Sequence, residues 1–212
     1  MTVAAAIRLT TAERLAARVG EAIRSGELPP GAPLREEELA RSHGVSRHVV
    51  REVLRLLVGE SLATYEAYKG ARVSYISAED VRDIFRTRRL FELPALRKMD
   101  REAVQALALI HGRYSAAVEA CDWRSAFDLD HDFHSKMVAA AGSKRMLRWH
   151  SEIFHSLSRA HLVRPEFEEQ GLRASVGEHA EIVVALAAGD LDRAERALSA
   201  HLDHSEALLS GR

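Results

Sequence analysis

Beyond Ser77 the apolar residues recur at i, i+3, i+4 and i+7, and four places on those inward stripes are held by Asp130, His134, His179 and His201. No other feature restricts the fold as strongly, because a helix can bury such groups only where something compensates their lost hydration. In Trp123 to Ala141 the stripe runs through Ala126, Phe127, Asp130, Phe133, His134, Met137, Val138 and Ala141, so Asp130 and His134 point inward together. Asp128 and Asp132 fall on the opposite side, with His131 near the boundary. His179 shares a face with Val176, Ile182, Val183 and Leu186, and His201 shares one with Leu191, Ala194, Leu198, Ser205 and Leu208. One carboxylate oxygen and three imidazole nitrogens make a donor set for zinc, nickel or manganese, and a shared divalent ion would compensate all four at once. The competing reading is four separate core groups, each bonded to backbone, with the helices crossing in an order that keeps them apart.

A chain of 212 residues, 47% of them hydrophobic, is long enough for two small domains and too apolar for a disordered chain. The net charge of -1 hides a mild asymmetry: residues 1–76 hold 11 Lys and Arg against 9 Asp and Glu, the remainder 19 against 22. The sign suits an N-terminal nucleic-acid partner without proving one. Cys121 is the single cysteine, so no intrachain disulfide forms and the fold does not depend on an oxidising compartment. Arg8, Arg14 and Arg18 follow the first apolar run, the reverse of a secretory signal, and no stretch approaches a membrane span of about 20 apolar residues. A soluble cytoplasmic protein with no membrane partner is expected.

Turn and strand signals are confined to the first 76 residues. Thr10-Thr11-Ala12-Glu13 carries a capping-box pattern, and Ile7, Leu15, Val19, Ala22 and Ile23 give the following helix an apolar face that ends at Gly26. A turn at Leu28 to Gly31 precedes a short helix from Glu36 to His43, stopped at Gly44. Ser46 then caps a helix running to about Gly59 with Val50, Val53, Leu54 and Leu57 inward. Leu62 to Tyr65 and Ala71 to Tyr75 read as two strands joined at Lys69-Gly70. This is the order of a winged helix-turn-helix, whose last helix would enter a major groove with Ser46, Arg47, His48 and Arg51 exposed at its start. Arginines there have the length and donor geometry for phosphates or guanine edges.

The stretch ELPPGAPLREEELARSHGVSRHVVREVLRLLVGESLATYEAYKGARV closely resembles the N-terminal signature of GntR-type transcription regulators in its Leu-Ala, Gly-Val-Ser-Arg and Arg-Glu-x-Leu series. Val49 stands where many members have proline, and His48 replaces a commoner small polar residue, which bears on base preference near His48. The resemblance implies that Arg47 and Arg51 contact DNA, that Ser46 caps the recognition helix and binds a phosphate, and that Gly70 lets the wing approach the minor groove. Arg35, in a variable part of the signature, is a weaker candidate.

From Ser77 on, helices are expected near 78–98, 101–120, 123–141, 144–163, 173–188 and 190–209, with breaks at Asp100, Asp122, Gly142, Pro165 and Gly189-Asp190. The fold class is therefore mostly α: a winged helix-turn-helix over 1–76 and an antiparallel all-helical bundle over 77–212. The bundle half resembles the FCD ligand-binding domain of FadR-type GntR regulators through Asp130-x-x-Phe133-His134, Glu178-His179-x-x-Ile182 with Ala188-Gly189-Asp190, and His201-Leu202. In metal-dependent members an Asp and three His in this order bind a divalent cation, and each position is occupied here. Arg88 and Glu92 match the family's R-x-x-x-E pattern on the inward stripe Val81, Ile84, Phe85, Arg88, Glu92, Ala95. Arg88 would hold the carboxylate of a small organic acid effector, or else only pair with Glu92 four residues on. His150, His155 and His161 either border the pocket or, the reading preferred, are helix-surface histidines. The resemblance implies a homodimeric repressor of double-stranded operator DNA and no enzyme; the alternative is a metal-dependent hydrolase or lyase with an accessory winged helix. Against that alternative, no inward general base stands beside the four ligands, since Glu178 should face away from His179.

Overall fold

The computed structural model describes residues 9–66, 68–163 and 165–211, with the side chains of 155 and 158–168 outside the description. Ile7, His155 and His161, weighed above, lie outside what is described. The chain divides into two compact units, Met1–Tyr75 and Ile76–Arg212.

The first unit contains α1 (Thr11–Arg24), α2 (Glu36–His43), α3 (Arg47–Gly59), β1 (Ala63–Glu66) and β2 (Gly70–Val73). Local chemistry sets these ends. Thr10 and Glu13 close a full capping box on α1, and Gly44, at φ 63°, takes the left-handed turn that ends α2. The Ser46 hydroxyl accepts the Val49 N–H at 3.3 Å and so starts α3. Helices α1 and α3 bury Leu15, Val19, Ile23, Val50, Val53, Leu54 and Leu57 against Leu62 and Val73, with Leu39 and Ala40 of α2 partly buried against them. Strands β1 and β2 pair antiparallel from Ala63↔Val73 to Glu66↔Gly70. β1 lies one residue later than the expected span, and β2 begins one residue earlier and ends two earlier, with the turn closing at Gly70, φ 81°.

The second unit is helical throughout: α4 (Ala78–Leu96), α5 (Arg101–Glu119), α6 (Trp123–Ala139), α7 (Lys144–Val163), α8 (Pro165–Ala187) and α9 (Leu191–Ser210). Helix α8 begins eight residues before the expected 173. Pro165, read as a break, instead occupies the first helical position, where its missing N–H costs nothing. Phe85, Leu96, Leu107, Phe133, Met137, Ile182, Leu198 and Leu202 build the core from five of these helices. Helix α9 is laced to α4 by Arg89 on Asp203 and Glu206 and by Arg97 on Asp192 and Glu195. Among the described residues no helix is long and apolar enough to cross a membrane. The protein is thus mostly α, a winged helix-turn-helix followed by a helical bundle.

Candidate metal centre and DNA face

Asp130 and His134 of α6, His179 of α8 and His201 of α9 offer donor atoms that all lie within 4.8 Å of one another. His201 Nε2 stands 3.2 Å from His134 Nε2 and 3.4 Å from His179 Nε2. Asp130 Oδ1 lies 3.4 Å from His179 Nε2 and 3.8 Å from His134 Nε2. Metal–nitrogen bonds of about 2.0–2.1 Å would space neighbouring donors roughly 3 Å apart, so the cluster has the dimensions of one coordination shell.

The outer atoms decide which tautomers face inward. His134 Nδ1 donates to Glu92 Oε2 at 2.7 Å, and His201 Nδ1 donates to Glu178 Oε2 at 2.7 Å. Burial pushes the Glu92 carboxyl up, yet the Arg88 charge and the hydrogen bonds from His134 and His150 prevail and hold it well below the ordinary range. Burial also opposes ionisation of Glu178, and the bonds from His201 and His204 overcome it. Two ionised carboxylates can only accept, so the protons sit on Nδ1 and the Nε2 atoms of His134 and His201 are bare lone pairs. Lone pairs 3.2 Å apart repel; a hydrogen bond between them would need a proton that neither ring has in this tautomer. A cation between them removes the conflict, and the residues therefore fit a divalent ion. Burial, resisted by the Glu92 carboxylate and aided by the Arg88 charge, lowers His134 to about 3. Burial, with the neighbouring imidazoles, takes His179 well below its usual value too. Burial raises Asp130 to about 6 against the pull of the Arg88 charge, which leaves it mostly ionised at neutral pH.

His179 has no carboxylate behind it, and its Nδ1 is buried without a partner. Its ring is fixed instead by stacking on Phe133, centroids 4.1 Å apart and 11° from parallel, with Tyr114 at 5.1 Å.

Arg88 makes the expected ion pair with Glu92, Nε to Oε1 at 2.7 Å, and both residues are buried. Its guanidinium also lies 5.0 Å from the ring centres of Phe85 and Phe154. Arg88 Nη2 is buried without a hydrogen-bond partner. Beside it is a cavity of about 10 Å³, room for roughly one water, lined by Arg88, Asp130, Ser175, His201, Ser205 and apolar side chains.

Two residues read differently in sequence. His150 is fully buried, not a surface histidine, and its Nε2 donates to Glu92 Oε1 at 3.1 Å. Glu92 is an inward carboxylate beside the ligands, which the stripe reading paired with Arg88 alone. Arg88, His134 and His150 all donate to it and hold it well below the ordinary carboxylate range, so it is a poor base. Glu178 meets His201 and His204, 23 and 26 residues away, not its neighbour His179. A role for Glu178 had no sequence signal beyond that adjacency.

In the first unit Arg35, Ser46, Arg47, His48, Arg51 and Gly70 are all exposed. Arg35, Arg47 and Gly70 border one groove together with Glu36, Glu37, Glu38, Arg41, Tyr65 and Lys69, so α2, α3 and the wing share a face. Arg47 pairs with Glu37, Arg51 with Glu36 at 3.0 Å and Arg35 with Glu38 at 2.9 Å. Tyr68, fully exposed at the wing tip with φ 64°, was not singled out by the sequence, and Lys69 beside it was read only as part of the turn.

Residues 11–73 match the family described as "Bacterial regulatory proteins, gntR family", and residues 83–204 match the "FCD domain". The chain is 30% identical over 202 residues to the "Probable D-xylose utilization operon transcriptional repressor" of Paenarthrobacter nicotinovorans, spanning 92% of this chain and 87% of that one. It is 29% identical to the "HTH-type transcriptional repressor GlaR" of Escherichia coli K12, over 84% of this chain and 86% of the relative. A crystal structure described as a transcriptional regulator GntR from Rhodococcus sp. RHA1 superposes with a TM-score of 0.84 at 25% identity, covering 94% and 97% of the two chains. The chain therefore belongs to the gntR family of bacterial regulatory proteins in its FCD-domain form, and is a transcription regulator and not an enzyme.

Proposed function

We infer that this regulator is a homodimeric repressor whose helical unit holds a divalent ion, zinc, nickel or manganese, and answers to a small carboxylate. One observation carries the reading: three imidazole Nε2 atoms and a carboxylate oxygen converge, with Glu92 and Glu178 on the outer nitrogens of two of the rings. Asp130, His134, His179 and His201 would hold the ion, which supplies a positive centre with room for an anion's oxygens. Arg88 is the residue for the far end of such an anion, since its Nη2 lacks a partner beside the cavity that Asp130 and His201 also line. The cavity takes roughly one water, so a carboxylic acid enters only if its walls part. A ligand that favours the parted arrangement shifts the population of bundle states, which is the requirement for altering a distant DNA site.

Residues 1–76 would be the operator-binding domain, with Arg47, His48 and Arg51 reading the major groove, Ser46 on phosphate, Arg35 a weaker DNA contact and Gly70 at the wing's approach to the minor groove. Residues 77–212 would supply the metal, the effector pocket and the dimer contact. Two copies match the two half-sites of an operator. The repressor sense follows the names of both relatives above.

The test is the metal content of the purified protein beside a His134→Ala variant. About one divalent ion per chain, lost in the variant, is the expected result. Carboxylic acids are then titrated against binding to a duplex selected by the protein from random sequence. Folded, metal-free protein that binds the same duplex, or DNA affinity unmoved by every acid that binds, would defeat the reading.

A further inference from the structure

Every arginine that the DNA face needs is held by a carboxylate of one three-residue run. Glu36, Glu37 and Glu38 open α2 and meet Arg51, Arg47 and Arg35 respectively. The first two pairs are long-range, 15 and 10 residues apart in sequence, and join α2 to the start of α3. Arg51 uses only its Nε, at 3.0 and 3.2 Å from the two Glu36 oxygens, so its Nη groups stay uncommitted to Glu36. Arg51, braced at its Nε edge with its Nη groups uncommitted to Glu36, is suited to the paired acceptors of guanine, whereas Arg47 gives Glu37 its Nη2 and keeps Nε and Nη1 for a base acceptor. A guanidinium so braced is poorly suited to a phosphate, whose charge the neighbouring carboxylate repels.

We propose that Glu36 and Glu37 are specificity-determining positioning residues of the DNA face: they brace Arg51 and Arg47 for base edges and hold them away from the sugar-phosphate backbone. This rests on the DNA-reading role given above. Charge on the face is consistent with it, since Arg35, Arg41, Arg47, Arg51 and Lys69 face Glu36, Glu37, Glu38 and Glu66, so more than half of the positive charge available for counterion release is cancelled locally. Exposed pairs of this kind add little to folding stability, so removing the carboxylates changes DNA behaviour without unfolding the unit.

The experiment compares the full chain with an E36Q/E37Q variant on a random-sequence 20-base-pair duplex and on a duplex selected by the wild-type protein, across a salt series. Control variant E21Q/E60Q removes the same charge from α1 and from the far end of α3. The double variant should bind random duplex about tenfold more tightly or better, with a salt slope steeper by roughly one to two, and prefer the selected duplex less. The control should show much smaller changes. Unchanged slope and affinity on random duplex, weaker binding to it, or equal gains in the control would each overturn the proposal. Folded wild-type protein with no salt-dependent affinity for any duplex would instead remove the DNA-reading role itself.

Discussion

At the scale of single residues, the two outer carboxylates separate what holds the fold from what tunes the donors. Glu92 is buried beneath Arg88, His134 and His150, so Glu92→Gln strands the Arg88 charge inside the bundle. A loss of about 3–5 kcal/mol is expected in chemical denaturation of the variant, the scale for breaking a buried pair from one side. Glu178 is part-exposed and its loss strands nothing, so Glu178→Gln should keep the fold while weakening divalent-ion affinity by about tenfold or more in a chelator competition. Equal metal affinity in Glu178→Gln and wild type would show that His201 needs no help to present Nε2. The four ligands themselves were legible in sequence, because each interrupts an apolar stripe of helical period. Their supporting carboxylates were not. Glu92 and His134 are 42 residues apart, and only the way α4 crosses α6 brings them to 2.7 Å.

At the scale of elements, boundaries were readable wherever a side chain makes the cap. Thr10, Ser46, Ser77 and Asp100 each accept an N–H three residues on, and all four helices begin where that pattern places them. Start of α8 was misplaced because proline ends a helix from inside and favours one from its first position, and the local sequence does not say which applies. The recognition helix gives a direct check on the cap. Ser46→Ala removes the side-chain acceptor that caps the start of α3 and should lower the stability of the first unit by about 1 kcal/mol, read from its melting transition. Gly70→Ala is a second check. A Cβ there meets nothing within 4 Å, so the cost comes from φ 81° alone and should also be about 1 kcal/mol. A variant as stable as wild type would mean that the wing turn relaxes to another conformation.

For the whole molecule, the buried histidines set how stability depends on pH when metal is withheld. His134 stays neutral in the fold down to about 3, against an ordinary value of 6.5, and His179 is likewise displaced downward. Unfolded chains take up those protons at about 6.5, so the contribution of both rings is fully present above that pH and is lost progressively as pH falls below it. Glu92, held below its ordinary 4.5, works in the same direction at lower pH. Asp130 works against them: raised to about 6 from 3.8, it takes up its proton first in the folded state and adds stability on acidification between those values. One carboxyl is outweighed by two imidazoles over the same interval, so thermal unfolding in the presence of a chelator should move to lower temperature between pH 7 and pH 5. Adding a divalent ion should raise stability at pH 7 and raise it progressively less at pH 5, because protons then compete for the same four donors. All of the groups involved lie within 76–212, so a fragment beginning at Ile76 should repeat the behaviour of the full chain. Chelated protein whose melting temperature is flat or rises from pH 7 to pH 5 would mean that the two rings carry protons in the folded state. The lone-pair conflict between His134 and His201, on which the metal centre rests, would then be gone.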